Sequence, residues 1–303
     1  MSATPDAPGA GRVRRGGFGR RVARALHARR WTQLGLLLAA PLGWLVIAYL
    51  GSLAVLLVAA FWHLDTFTAD IVKDYSLQNF RTLWDSDVYR AITQRTVVIA
   101  ALVTVADALL AFPIAFYMAK VAGRRARGML LVAVLMPLWS SYLVKVYAWR
   151  VILSEDGILN WALSPLGLSG PGFGDVATWL VFTYLWLPFM IVPIYAGLER
   201  IPHSLLEASS DLGGHGWTTF RRVILPLSIP AVAAGSIFTF ALTLGDYITP
   251  QLVSSTQFIG NVVYANVGTA GNLPLAAAFA TVPIAIMVVY LLGVRRLGAF
   301  ENL

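Results

Sequence analysis

Glu207 to Pro226, EASSDLGGHGWTTFRRVILP, is the stretch on which the fold turns. It is a polar island between two long apolar runs. Ser204 followed three residues later by Glu207 has the form of an S-x-x-E capping box, and Gly213-Gly214 supplies a helix stop. A helix of about 10 residues is expected between them. Small side chains at Ala208, Ser209 and Ser210 let another surface approach its backbone, while Pro226 is expected to bar an unbroken helix from running into the next apolar run. Taken alone, such a segment is either a capped interfacial helix or a docking knob.

The surroundings are those of a membrane. Of 303 residues 58% are apolar and 13% charged, and mean hydropathy is +0.70, far outside the range of soluble domains. With no cysteine, a disulfide framework and a thiolate metal site are excluded. Six runs near the ~20 residues that cross a bilayer are expected at 34–62, 96–119, 129–152, 177–198, 224–245 and 275–294. Trp31, Trp44, Trp62, Trp179 and Trp186 mark spans one and four, several of them near expected interfaces. Prolines 41, 113, 137, 188, 193, 230 and 283 fall inside the runs. Each removes a backbone donor, which is tolerated where neighbouring helices or a watery cavity satisfy the freed carbonyls. A packed all-α bundle with an internal path is the expectation.

Lysine and arginine are divided 17 to 4 between the two sides. The tail (eight), the 120–127 loop (four), the 199–222 loop (three) and the C-terminus (two) hold the larger share, whereas Lys73, Arg81, Arg90 and Arg95 hold the smaller. The positive-inside rule then places both termini and the Glu207 loop in the cytoplasm. The same topology accounts for the net charge of +8 without nucleic acid. Residues 1–30 read as a basic cytoplasmic tail, partly disordered, and 31–303 as the membrane domain with its polar loop at 199–226. In the tail, Phe18, Val22 and Leu26 fit either an interfacial amphipathic helix or a solvated basic segment. No cleavable signal peptide is expected, because the apolar run after Trp31 is too long and has no processing site.

No catalytic or metal constellation stands out. His27, His63, His203 and His215 are scattered, and H-E-x-x-H, G-x-S-x-G and a P-loop are all missing from the sequence. An intramembrane hydrolase therefore lacks its chemistry. A secondary transporter is the stronger rival to any ATP-driven one, and uptake on an ion gradient without ATP would distinguish it.

Glu207, Ala208, Ser209, Gly213, Val223, Leu225 and Pro226 fall on the pattern E-A-A-x3-G-x9-I-x-L-P, with serine for the second alanine and valine for isoleucine. This resembles the cytoplasmic coupling loop of ABC importer permeases, in which a short helix docks into a separate ATPase. The resemblance implies a type I permease fold of six transmembrane helices with a coupling helix in a bacterial inner membrane. It further implies a second homologous permease, two ATP-binding subunits carrying ATP and Mg, and an extracytoplasmic solute-binding protein, with no cofactor on this chain. The stretches 75–89, 136–160, 183–213 and 258–278 are similar to spermidine/putrescine permeases, and the similarity runs over about residues 75–295. Polyamines, or another small amine-bearing solute, are the implied cargo. Ser254-Ser255, where Gly-Gly is usual, and Asp107, where an apolar residue is usual, depart from that pattern.

Independently of any family, the expected outer loops after Arg95 carry Glu155, Asp156, Asp175 and Asp246 and no lysine or arginine, so this mouth should concentrate cations. Tyr184, Trp186 and Tyr247 offer aromatic faces to an ammonium, or else pack or anchor. Asp156, beside Glu155, is a candidate for the path or an ordinary solvated turn. Lys145, ~26 Å along an unbroken third span, is expected to snorkel to the outer interface, with Arg150 farther out. Asp107 should sit ~18 Å deep, near the midplane. There a charge costs at least ~2.5–3.5 kcal/mol, so it should face the interior, as path lining or as a structural hydrogen bond. Asp246, ~35 Å along the fifth span beside Gly245, lies on the solute path or merely closes a helix end.

Overall fold

The computed structural model describes residues 30–65 and 67–296, and the tail helix read at Phe18, Val22 and Leu26 lies outside the described residues. The chain divides into two units, Met1–Leu56 and Leu57–Leu303. In the first, α1 (Arg30–Leu45) carries Pro41 and passes through a π-helical turn (Val46–Gly51). Then α2 (Ser52–Ala59) continues the apolar stretch Leu37–Ala59, whose 23 residues are enough to cross a membrane.

The second unit begins at Leu57, within α2, and continues with a small antiparallel hairpin, β1 (His63–Leu64) and β2 (Ile71–Val72), then α3 (Gln78–Asp85) and the long α4 (Asp87–Phe116), which a π-helical turn extends to Val121. Next come α5 (Arg124–Trp139), α6 (Tyr142–Leu153) and the short α7 (Ile158–Leu163). The second long helix is α8 (Asp175–Glu199), followed by the polar island's α9 (His203–Asp211). From α10 (Gly216–Thr219) the chain passes a π-helical turn (Phe220–Ile224) into α11 (Leu225–Gly245). The last elements are α12 (Ile248–Val253), α13 (Ile259–Gly268) and α14 (Leu273–Arg295).

The helices α4, α8 and α11 pack against one another and hold the core. At one level Ile99 and Val103 meet Val181, Phe182 and Leu185; at another, Ala111 and Ala115 meet Met190, Ile191 and Ile194. The close approach of α8 and α11 depends on missing side chains. A Cβ at Gly197 would stand 2.3 Å from the Cβ of Ala231, and one at Gly235 3.2 Å from the Cα of Met190. Membrane helices, which gain little from hydrophobic association in lipid, use such small residues to bring backbones together.

Five described helical stretches are long and apolar enough to span a bilayer. The run expected to span at 129–152 is instead two helices, α5 and α6, meeting at 91°. The break lies at Ser140-Ser141, with Ser140 extended, one turn beyond Pro137. The Pro137 carbonyl accepts from the Ser140 amide (3.3 Å), the Ser140 hydroxyl (2.9 Å) and the Lys145 ammonium (3.1 Å). Three donors thus replace the helical bond that the bend forfeits. The expectation of Lys145 snorkelling along a straight helix is corrected accordingly, since its ammonium turns back to cap α5. Arg150 places its guanidinium 5.8 Å from the Phe173 ring centre.

Two further expectations change. Ser204 is not the cap of α9: that position is Pro202, and no side chain caps the helix. Pro202 is extended, so the helix starts directly after it at His203, two residues earlier than a Ser204 cap allows. Pro226 does not interrupt its helix either, because Gly216–Gly245 is one 30-residue helical stretch. The π-helical turn just before it shifts the bonding register, with the Leu225 amide reaching back to Phe220, and the proline then sits in the first turn of α11.

Candidate functional site

Two regions hold the residues singled out by the sequence. The first is α9 and the loop around it. Glu207, Ala208 and Gly213 are exposed and Ser209 is half-buried, and none of the helix's residues is buried. Its end is built from backbone. The Gly213 amide donates to the Ser210 carbonyl and the Gly214 amide to the Ser209 carbonyl, both at 2.9 Å. Gly213 adopts φ +77°, the left-handed conformation that this C-terminal motif requires. Gly214 is as constrained, since a Cβ there would lie 2.6 Å from the Ser209 carbonyl oxygen. The Ser209 hydroxyl pairs with that of Thr219 at 2.8 Å, joining α9 to the segment that leaves it.

Past that junction the chain is fastened to the bundle. Phe220 sets its ring edge-on to Phe112 (5.7 Å, 89°) and Phe116 (6.4 Å, 85°) on α4, and Trp217 stacks on Phe220 at 5.5 Å. Val223 is half-buried, while Leu225 and Pro226 are exposed at the start of α11. The matched positions therefore form an exposed helix, its glycine stop and the root by which it joins the bundle.

The second region surrounds Asp246, where α11 ends and the backbone turns extended. Its carboxylate accepts from the Ile248 amide (2.8 Å), the Thr249 amide (3.3 Å), the Thr249 hydroxyl (3.0 Å) and the Tyr142 hydroxyl. Tyr142 was not singled out by the sequence reading. It lies at the first turn of α6, aimed back by the α5–α6 bend, and its ring stacks on Trp186 at 6.0 Å with 11° between planes. Asp246 and Trp186 are thus joined through Tyr142. Tyr247 points elsewhere, stacked at 4.6 Å on Tyr264. Its carbonyl takes the Asn261 amide at 2.9 Å. A Cβ at Gly260 would fall 2.6 Å from the Asp246 carbonyl oxygen, so α13 can lie against the break only with glycine there. A cleft of ≈ 340 Å³ opens beside it, with Gly245, Tyr247, Gly260, Tyr264 and Pro283 in its wall.

The remaining candidates are dispersed. Tyr184 sits with Trp149, 5.4 Å between rings. Asp156 is exposed in the turn before α7. Of the acidic outer-loop residues, Asp175 is already engaged, by Arg95 (3.5 Å) and the Thr256 hydroxyl (2.6 Å). Trp179 and Trp186 pack against the core rather than at an edge, and their indole nitrogens are buried without a hydrogen bond among the described residues. Asp107 is fully buried on α4, between the two apolar levels of the α4–α8–α11 core. Neither carboxyl oxygen has a hydrogen-bond partner among the described residues. One turn away, Thr104 meets Thr239 of α11 at 3.4 Å.

A bundle of broken apolar helices carrying an exposed, glycine-stopped helix fits a transport permease. Residues 101–299 match the family described as binding-protein-dependent transport system inner membrane component, and the chain belongs to that family. It is 48% identical over 286 residues to the inner membrane ABC transporter permease protein YdcU of Escherichia coli K12, across 89% of this chain and 91% of that one. To the spermidine/putrescine transport system permease protein PotB of Escherichia coli K12 it is 28% identical over 267 residues, across 86% and 96%. With PotB of Haemophilus influenzae Rd it shares 30% identity over 209 residues, 67% of this chain and 72% of that one.

Among solved structures, a bacterial alginate ABC transporter in complex with an alginate pentasaccharide-bound periplasmic protein superposes with a TM-score of 0.68. The match has 18% identity and covers 90% of this chain and 96% of that chain. At that identity the likeness is one of fold: the type I ABC importer permease. The chain is a membrane-spanning permease subunit of such an importer, a transport subunit and not an enzyme, so the ion-gradient alternative falls away.

Proposed function

We propose that this permease serves an importer of polyamines, spermidine or putrescine, or of another small amine-bearing cation. What supports the cargo most is the Asp246 constellation, a carboxylate at a helix break bonded to Tyr142, whose ring stacks on Trp186, together with the spermidine/putrescine permeases among the relatives. Such a site suits an ammonium, which pairs with the carboxylate and gains ~0.5–2 kcal/mol over each aromatic face. Tyr142, Ile248 and Thr249 donate to the Asp246 carboxylate, and a bound cation would take the place of the Tyr142 hydroxyl. Tyr184 and Asp156 would line the outer approach and Asp107 the deeper path.

In this reading both termini and the Glu207 helix face the cytoplasm, following the 17-to-4 charge division. Two ATPase subunits carrying ATP and Mg, a second homologous permease and an extracytoplasmic solute-binding protein complete the assembly. Residues 199–226 act as the coupling loop: ATPase closure moves α9, and alternating access follows as a rigid-body change of the bundle. ATP-dependent uptake of a panel of labelled amines into vesicles holding the whole assembly tests the cargo. Spermidine or putrescine should be accumulated and should compete with each other. Uptake of neutral or anionic solutes with no amine among them would overturn the cargo assignment.

A further inference from the structure

The lysines and arginines of the 120–127 loop have so far served only to orient the chain, yet two of them make specific bonds that topology does not require. Arg127, on the first turn of α5, donates from Nε to the Met118 carbonyl (3.2 Å), from Nη2 to the Ala119 carbonyl (3.1 Å) and from Nη1 to Glu199 Oε1 (2.9 Å). Met118 and Ala119 belong to the π-helical turn that ends α4, and Glu199 is the last residue of α8. Lys120, within the same turn, donates to the Ile201 carbonyl at 2.7 Å. Ile201 is two residues before α9 starts.

The pattern is reciprocal. A cation from α5 caps the end of α4 and holds the end of α8, and a cation from the end of α4 caps the chain just past α8. Helix ends leave carbonyls without intrahelical partners and carry partial negative charge, so lysine and arginine suit both places. The guanidinium's fixed fork binds three acceptors on two helices at once, a geometry that lysine cannot copy. As a source of stability the Arg127–Glu199 pair counts for little, because its side chains are 34% and 47% exposed. As a mechanical tie its position is telling. It joins α4 to the chain running into α9, while Phe220 joins α4 to the chain running out of it.

We propose that Lys120, Arg127 and Glu199 form a latch that transmits displacement of α9 to α4, the helix whose deeper turns hold Asp107. These are positioning residues for the transport cycle, acting through the backbone of α4 and α8 rather than on solute. The proposal rests on α9 being the element that the ATPase moves, and the test separates the two ideas.

The whole importer, reconstituted in proteoliposomes with its solute-binding protein, is assayed for basal ATPase, solute-stimulated ATPase and bound ATPase subunits. Arg127→Met and Lys120→Met should keep the ATPase subunits and basal hydrolysis but cut the solute-stimulated increment at least about tenfold, with uptake falling in step. Arg127→Lys and Glu199→Gln should lie between these and the parent, and they keep the test alive if a methionine variant fails to fold. Arg124→Ala and Arg125→Ala, which change charge at exposed neighbours, should match the parent. Glu207→Ala is run beside them. Full stimulation in the Arg127 and Lys120 variants, with stimulation lost in Glu207→Ala, overturns the latch alone. Full stimulation in Glu207→Ala overturns the docking of α9. Loss of ATPase subunits from Arg127→Lys and Glu199→Gln would reduce the cluster to a support for the loop and also overturn the latch.

Discussion

The two ends of the bundle are built on opposite plans. At the basic end α9 stands with no buried residue, held by its own glycine stop and by attachments at its roots. At the other end Asp246 has donors on both carboxylate oxygens, and the tyrosine among them is stacked on Trp186. If α9 docks on a separate subunit, as proposed, its surface must be left uncovered in this chain. If Asp246 receives a cation, as proposed, its bonds within the protein must first be exchanged. Leaving its polar atoms unpartnered would cost roughly 1–3 kcal/mol each.

The largest effect should come at the uncovered end. Gly213→Trp places a side chain at φ +77°, a conformation that costs non-glycine residues about 1–2 kcal/mol, and it puts bulk on the proposed docking face. With Glu207→Ala, it should reduce uptake to background while the protein stays in the membrane. Normal uptake in both would leave α9 an ordinary surface helix.

At the opposite end, Gly260→Val drives its Cβ to 2.6 Å from the Asp246 carbonyl oxygen, so α13 must shift. Overpacking of this kind costs about 1–3 kcal/mol. A lower detergent melting temperature and slower uptake are expected together; an unchanged melting temperature would mean that the break tolerates movement. Asp246→Asn keeps the shape and removes the charge. Slower uptake of cations with assembly and basal ATPase intact is expected, whereas unchanged uptake would confine Asp246 to capping α12.

Tyr142→Phe deletes one bond to a carboxylate, worth about 1.5–3 kcal/mol, and keeps the stack on Trp186. If the bond restrains the helix break, basal ATPase should rise a few-fold, and an unchanged rate would show that this hydroxyl does not restrain it. The smallest effect separates the readings of Asp107. Asp107→Leu fills the same buried space without an unpartnered carboxyl and should leave assembly unchanged or slightly more stable. A path role requires that cation uptake nevertheless fall modestly; full uptake would make the residue structural.

Much of the fold was legible because membrane spans announce themselves by length and apolarity, and the sequence placed the long helices at 87–121, 175–199, 216–245 and 273–295 within a few residues except at their polar ends. The bend in the third run was hidden. Pro137 looks like six other prolines in the runs, and what sets it apart is Ser140-Ser141 together with Lys145, which supply new donors to its carbonyl. Pro226 misled in the other direction, since a π-helical turn absorbed it. Ser204-x-x-Glu207 satisfied a capping pattern that Pro202 overrode. Tyr142 went unnoticed because its partners, Trp186 and Asp246, lie 44 and 104 residues away in sequence, and only the bend aims it at them. The glycine stop was legible because a left-handed residue followed by a close backbone approach is written locally.

Orientation and docking meet in one measurement on this cysteine-free chain. Gly214 is too crowded to carry a cysteine, so Ser210→Cys, exposed on α9, is the probe, with Asp156→Cys as the control on the opposite side. In intact cells a membrane-impermeant thiol reagent should modify Asp156→Cys and spare Ser210→Cys. In inverted vesicles Ser210→Cys should react once the ATPase subunits are stripped away and be protected when they are restored. Labelling of Ser210→Cys from outside intact cells, or equal labelling with and without the ATPase subunits, would contradict the account.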